Sequence, residues 1–172
     1  MDKGDGEERA EPAAFASANG YGWREGPIGR RNTVWGWCGI VAGPTVGSIL
    51  MAWVFAGPFL SPLTWLEDYV SVERRMLRLA HVALVMIPLI NIVFGHTIDA
   101  VALPDRWKRL ASWLVALAMP IVPLGMILGA VVWVPLKYLS SPGVYALIAG
   151  LAIMAVGKVR QARSDSAGHP LQ

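Results

Sequence analysis

Residues 79–103 read LAHVALVMIPLINIVFGHTIDAVAL, and this stretch decides the fold of the chain. It is long enough to cross the hydrocarbon core of a membrane as a helix, which takes roughly 20 residues. Three further apolar stretches of comparable length lie at residues 33–57, 110–136 and 139–157. The sequence therefore predicts an all-α fold, namely a polytopic integral membrane protein built as a four-transmembrane-helix bundle.

The composition agrees with a membrane protein. Of the 172 residues, 55% are hydrophobic and only 16% are charged, whereas a soluble domain has about 25% charged residues. Four membrane helices leave little polypeptide outside the bilayer, so we expect no separate soluble catalytic domain. The net charge of +3 is modest, and its Lys and Arg residues flank the apolar stretches. They therefore indicate membrane topology, and we expect no nucleic-acid partner.

The polar ends of the chain are predicted to be tails in the cytoplasm. Residues 1–32 and 158–172 lack apolar periodicity and are expected to be disordered. With four spans, nine Lys and Arg residues near the helix ends fall on the side of both tails and four fall on the other. Positive charge is enriched in cytoplasmic loops. We therefore expect a multi-pass protein of the inner membrane with both termini cytoplasmic.

The connection between the first two spans, residues 58–78, carries helix-start signals. Ser61 followed by Pro62 is typical of an N-cap and a first helical position, which predicts a short interfacial helix before helix two. Ser71 is a second candidate N-cap, since acidic Glu73 falls in the turn that follows. Helix two would then project above the membrane by about one turn.

Glycines recur at helical spacing in two of the spans. Gly39, Gly43 and Gly47 lie four residues apart, and Gly125 and Gly129 repeat that spacing. Residues four apart share one helical face, and glycine lets another backbone approach closely. The pattern predicts helix-packing faces. They would serve either packing within the bundle or, through helix one, formation of a homodimer.

The second span carries a stripe of polar side chains. At 100° per residue, all its members but one lie within roughly 40° of one line, and the exception, Asn91, lies about 100° to one side. Lipid penalises such a face, so it should point into the bundle or at another subunit. The members of the polar stripe are Arg74, Arg78, His81, Asn91, His96 and Asp99.

Two chemical interpretations of the stripe remain open. In the first, His81 and His96 are cofactor-binding residues that ligate haem b near opposite membrane surfaces, because they are separated by roughly 22 Å of helix. Two bis-histidine haems require four histidines, and the third histidine, His169, lies in the tail. In the second, the histidines and Asp99 line a proton or solute path, with Asn91 bridging the apolar middle.

A third interpretation is structural. Arg74 and Arg78 would reach the outer interface and bind lipid phosphates. His96 and Asp99 would lie near the cytoplasmic interface, and Asn91 would form one hydrogen bond between helices. This interpretation requires no cofactor and explains most of the pattern.

Sequence motifs for catalysis are missing. The chain has no P-loop, GxGxxG, GxSxG or HExxH sequence, and its one cysteine, Cys38, forms no CxxC pair. We therefore expect a small non-catalytic integral membrane protein that is a subunit or accessory factor of a membrane complex. Its partners would be the lipid bilayer and either further copies of itself or a larger membrane complex. The alternative is a haem-binding electron-transfer or proton-linked protein that uses His81 and His96.

Overall fold

The computed structural model describes residues 26–52 and 70–167, and these residues are almost entirely helical. A 3-10 helix, Val134–Leu139, leads into the last α-helix. The all-α prediction is confirmed for this part of the chain. The four α-helices are α1, Gly29–Ala52; α2, Val72–Ile98; α3, Asp105–Val131; and α4, Ser140–Ala167.

Among the described residues, three helical stretches are long and apolar enough to cross a membrane: Val72–Ile98, Asp105–Val131 and Val134–Ser164. This finding is consistent with the membrane protein that the sequence predicts. The crossing of the membrane by α1 stays a prediction. The interfacial helix expected before helix two falls on residues 53–69, outside the described residues, as does the end of the first predicted span.

The helix boundaries differ from those predicted, because apolar content marks the hydrocarbon-length part of a helix and misses its polar ends. Helix α1 begins at Gly29, so residues 29–32 are helical and do not belong to a disordered tail. Helix α2 begins at Val72 rather than at residue 79, since the Ser71 hydroxyl accepts a hydrogen bond from the backbone N–H of Arg74. The expected Ser71 cap is thus present.

The last two helices also extend beyond the predicted spans. Helix α3 begins at Asp105, directly after Pro104, and the acidic side chain suits the positive end of the helix dipole. Helix α4 continues to Ala167, past the predicted end at residue 157, so much of the expected C-terminal tail is helical.

Consecutive helices pack against each other in an up-and-down arrangement. Helix α1 packs along α2, α2 along α3 and α3 along α4, whereas α1 and α3 approach each other at few points. At one end of the bundle, α1 begins, α2 ends, α3 begins and α4 ends; we name this the junction end. At that end Phe94 and Ile98 pack against Ala111 and Val115, with side chains of α4 completing the cluster.

Candidate functional site

Three buried polar side chains from three helices meet near the junction end. Asn32 of α1, Asn91 of α2 and Ser112 of α3 are each fully buried. The Asn32 amide nitrogen donates to Oδ1 of Asn91 at 3.0 Å and to the backbone oxygen of Ser112 at 3.1 Å. The Ser112 hydroxyl donates to Oδ1 of Asn32. We name this group the polar junction.

The side-chain amide of Asn91 is also fully hydrogen-bonded. Nδ2 of Asn91 donates to the backbone oxygen of Ile87 at 3.1 Å and to that of Val115, on α3, at 3.3 Å. Asn91 thus forms the interhelical hydrogen bonding that the structural interpretation expects. Each amide oxygen accepts a hydrogen bond and each amide nitrogen donates two, so neither buried amide carries the cost of an unmade bond.

Arg31 connects the polar junction to the surface of the bundle. Its Nη2 donates to the Ser112 hydroxyl at 2.7 Å, and its guanidinium carbon lies 3.7 Å from the ring centre of Trp113. This distance is within the range of a cation–π interaction. The Arg31 side chain therefore reaches from α1 to α3 above the polar junction.

Asp99, a member of the polar stripe, caps the N-terminus of α1. Its Oδ2 accepts the backbone N–H of Gly29 at 2.7 Å, one of the first-turn donors that a helix cannot satisfy internally. The negative carboxylate also suits the positive end of the α1 dipole. Nζ of Lys108 donates to the Asp99 backbone oxygen at 2.8 Å and brings in the start of α3. Asp99 is thus engaged in helix-end contacts.

The glycines of α1 face α2 along its length; we name this contact the glycine seam. A Cβ atom at Gly36 would lie 2.6 Å from Cγ1 of Ile92, and one at Gly39 would lie 2.7 Å from Cγ of Pro88. A Cβ atom at Gly43 would collide with the backbone oxygen of Leu84. The space that each missing side chain leaves is filled by α2. The seam glycines are Gly29, Gly36, Gly39, Gly43 and Gly47.

The second glycine pair has a similar environment at the other end of the bundle. A Cβ atom at Gly125 would collide with the backbone nitrogen of Ser140, and one at Gly129 would lie 2.7 Å from the backbone nitrogen of Lys137. These glycines let α3 approach the 3-10 helix and the start of α4. Both glycine faces are therefore occupied within the chain itself.

The two histidines lie apart and belong to different surroundings. His81 is half-buried and faces α1, where a Cβ atom at Gly47 would lie 2.7 Å from Cε1 of the imidazole. His96 is half-buried one turn before Asp99, near the junction end. Their separation along α2 is roughly 22 Å. The structure therefore does not bring them together.

The described residues do not fit a bis-histidine haem within one chain. Each haem would need a second axial ligand, and His81 has the backbone of α1 packed against its ring. Among residues 26–52 and 70–167, no three His, Cys, Asp or Glu side chains gather where they could hold a metal ion.

The middle of the polar stripe is tightly packed. Between His81 and His96, α2 presents Pro88 and Ile92 to the glycine seam, which leaves no room for a single added methyl group at Gly36 or Gly39. This packing disfavours a water-filled path along the stripe. Arg74 and Arg78 lie half-buried in the first two turns of α2, away from the polar junction.

Asn32, Ser112 and Arg31 are the residues that sequence reasoning missed. Because no apolar stretch includes Asn32 or Arg31, the sequence predicts that both belong to the N-terminal tail. A signal was nevertheless present, since Asn32 lies at helical spacing before Gly36 and Gly39 and continues their face by one turn. Ser112 carried no such signal, because a lone serine is common in membrane helices.

Comparisons with protein-family models, with curated proteins and with solved structures found no match. The function must therefore be argued from the chemistry of the described residues.

Proposed function

We propose that this chain is an integral membrane protein of four transmembrane helices that acts as a non-catalytic subunit or accessory factor of a membrane complex. The observation that supports this role is the saturation of the polar junction. Asn32, Asn91 and Ser112 use their hydrogen-bonding groups on one another and on nearby backbone. Buried polar groups that are fully satisfied hold a unique packing arrangement.

The membrane crossing of α1 is supported by its length and its partner. It has 24 residues, enough to span a hydrocarbon core of about 30 Å, and it packs along α2, one of the helices that are apolar enough to cross. With four spans, the excess of Lys and Arg on the side of both tails supports a cytoplasmic location for both termini.

The surface for association is the face of α1 opposite the glycine seam. Since α2 fills the seam, self-association or binding to a larger complex must use another surface. The outward face carries exposed Trp37, Cys38, Val41 and Thr45, which line a shallow apolar depression. Small side chains among larger ones allow another helix to approach closely in a membrane.

The proposal is tested by measuring the mass of the assembly that the full-length protein forms when it is extracted in a mild detergent. We expect an assembly larger than one chain and larger than the detergent micelle explains. In native membranes, oxidative cross-linking through Cys38 should trap that assembly if the outward face of α1 is used. A stable monomer with catalytic turnover would contradict the proposal.

A matched control moves the single cysteine from α1 to α2. In a Cys38→Ser background, Val93→Cys places a thiol on an exposed face of α2, away from α1. It should not cross-link if association uses α1. Equal cross-linking from both positions would indicate random collision in the membrane and would overturn the assignment of the α1 face.

One observation bears on the alternative function, electron transfer or proton-linked activity through His81 and His96. Nδ1 of His81 is buried and makes no hydrogen bond within residues 26–52 and 70–167. A visible difference spectrum, dithionite-reduced minus oxidised, of protein produced with ample haem decides the electron-transfer form. We expect a flat spectrum. Sharp b-type haem bands that disappear in the His81→Ala and His96→Ala variants would replace our proposal with the alternative.

A further inference from the structure

An apolar crevice opens between α1 and α3, below the side chain of Arg31. Gly39 and Gly43 form part of one wall, Met119 and Pro123 form part of the other, and Pro88 of α2 lies at its floor. Its volume is about 270 Å³. The crevice exists because α1 and α3 are joined at the polar junction but make little contact beyond it.

The volume and chemistry of the crevice select its occupant. At about 270 Å³, the crevice is smaller than the roughly 300–1,000 Å³ of pockets that enclose drug-sized ligands, so its occupant is narrow. All side chains that line the crevice are apolar. A segment of a single hydrocarbon chain meets both conditions, since it is narrow and requires no hydrogen bonds.

A cationic group stands at the junction end of this crevice. Trp35 lines the crevice, and Arg31 precedes it by one helical turn on the same face. The guanidinium is held over Trp113 and by Ser112, while its Nε is buried and makes no hydrogen bond to any described residue. One donor of a fixed cation at this end of the crevice therefore has no partner among the described residues.

We propose that this crevice binds one acyl chain of an anionic phospholipid whose phosphate group lies at Arg31. The charge of Arg31 complements the phosphate, and exposed Arg30 beside it adds to the positive potential. Trp35 and Trp113 frame the boundary between headgroup and chain, where indole rings are favoured. The site rests on the membrane location proposed above.

The test measures lipid binding to the full-length protein in detergent by native mass spectrometry, with phosphatidylglycerol and phosphatidylcholine of the same chains as probes. We expect phosphatidylglycerol to bind about fivefold more tightly, the effect of roughly one favourable cation at a membrane surface. Arg31→Gln should abolish this preference. Arg163→Gln, which removes an exposed charge from α4 at the same end of the bundle, should preserve it.

A separate variant tests the part of the site that binds the acyl chain. Leu124→Trp places a bulky ring at a residue of α3 that lines the crevice, and it should weaken the binding of both lipids. Leu117→Trp makes the same change at an exposed residue of α3 outside the crevice lining and should leave both affinities unchanged. If Arg31→Gln removes only the headgroup preference and the crevice variant lowers only the overall affinity, the results support one site with two parts.

Any of the following results would overturn the inference. The first is equal binding of the two lipids by the unaltered protein. The second is the same preference for phosphatidylglycerol over phosphatidylcholine in the Arg31→Gln and Arg163→Gln variants. The third is displacement of the lipid by glycerol phosphate at comparable concentration, which would assign the site to a soluble anion. If Arg31→Gln does not fold, Arg31→Lys decides the point, because it keeps the charge and should retain most of the preference. Loss of preference in a folded Arg31→Lys protein would contradict a charge-based site.

Discussion

The polar junction and the glycine seam both attach α1 to α2, but they do so by different physical means. The polar junction uses directed hydrogen bonds between buried amides, Asn32 and Asn91. The glycine seam uses close approach, with Gly43 lying against the backbone of Leu84. In a bilayer, helices gain little from the hydrophobic effect on association, so packing and hydrogen bonds must hold them together.

The two contacts also differ in what they tolerate. A hydrogen-bonded pair can lose a partner and recover part of its energy from other polar groups or water, which limits the measured cost. A backbone-to-backbone contact offers no such relief, because neither helix can move a short distance without separating along its length. We therefore expect the glycine seam to be the more sensitive of the two.

The largest effect is expected for Gly43→Leu. Its side chain would need the space that the Leu84 backbone occupies, and overpacking of this kind costs about 3 kcal/mol of unfolding free energy. Unfolding in mixed micelles, followed by tryptophan fluorescence, measures the change. Val41→Leu is the control, since Val41 is 71% exposed. Equal stability of the two variants would show that α1 and α2 do not pack as described.

An intermediate effect is expected for Asn91→Leu. This change removes the acceptor for the Asn32 amide and the donor to the Val115 backbone, and an unsatisfied buried polar group costs about 2 kcal/mol. Thermal unfolding monitored by circular dichroism is the measurement. Thr45→Val serves as the comparison, because the Thr45 hydroxyl is exposed and bonds only within its own helix, to Val41. If Asn91→Leu lowered the unfolding free energy no more than Thr45→Val does, the polar junction would not contribute to stability.

The smallest effect is the coupling between Asn32 and Asn91. A double-mutant cycle with Asn32→Ala and Asn91→Ala should give a coupling of about 0.6 kcal/mol, the average for interhelical hydrogen bonds measured in a membrane protein. Asn32→Ala combined with Thr45→Val should instead be additive, since the two residues share no partner. A zero coupling between Asn32 and Asn91 would mean that each side chain acts through its backbone partners only.

The helical character of the chain was predictable, and the ends of the helices were less so. The apolar stretches marked all four helices because hydrophobic content is a local property of the sequence. The boundaries shifted where polar residues continue a helix: Gly29 and Asn32 at the start of α1, and the residues up to Ala167 in α4. The N-cap at Ser71 was predictable because its hydrogen bond joins residues only three apart in the sequence.

The candidate site was only partly predictable. Asn91 stood out because an amide within an apolar span needs a partner, but its partners Asn32 and Ser112 come from distant parts of the chain. Asp99 was predicted as a polar group near the interface, and the structure shows it bound to the start of α1. Such contacts depend on how each helix is rotated and offset along its neighbour, which no local pattern specifies.

Composition and periodicity therefore account for the helical character of the described residues, for spans of membrane length, for a polar face on α2 and for glycine faces on α1 and α3. They do not account for which surfaces those faces meet. Packing of α1 on α2 filled the glycine seam, brought Asn32 to Asn91, and left Arg31 above the crevice between α1 and α3. The reason is physical: hydrophobicity and helix propensity act within a segment, whereas hydrogen-bond partners and close contacts exist only after several segments have taken up one relative position.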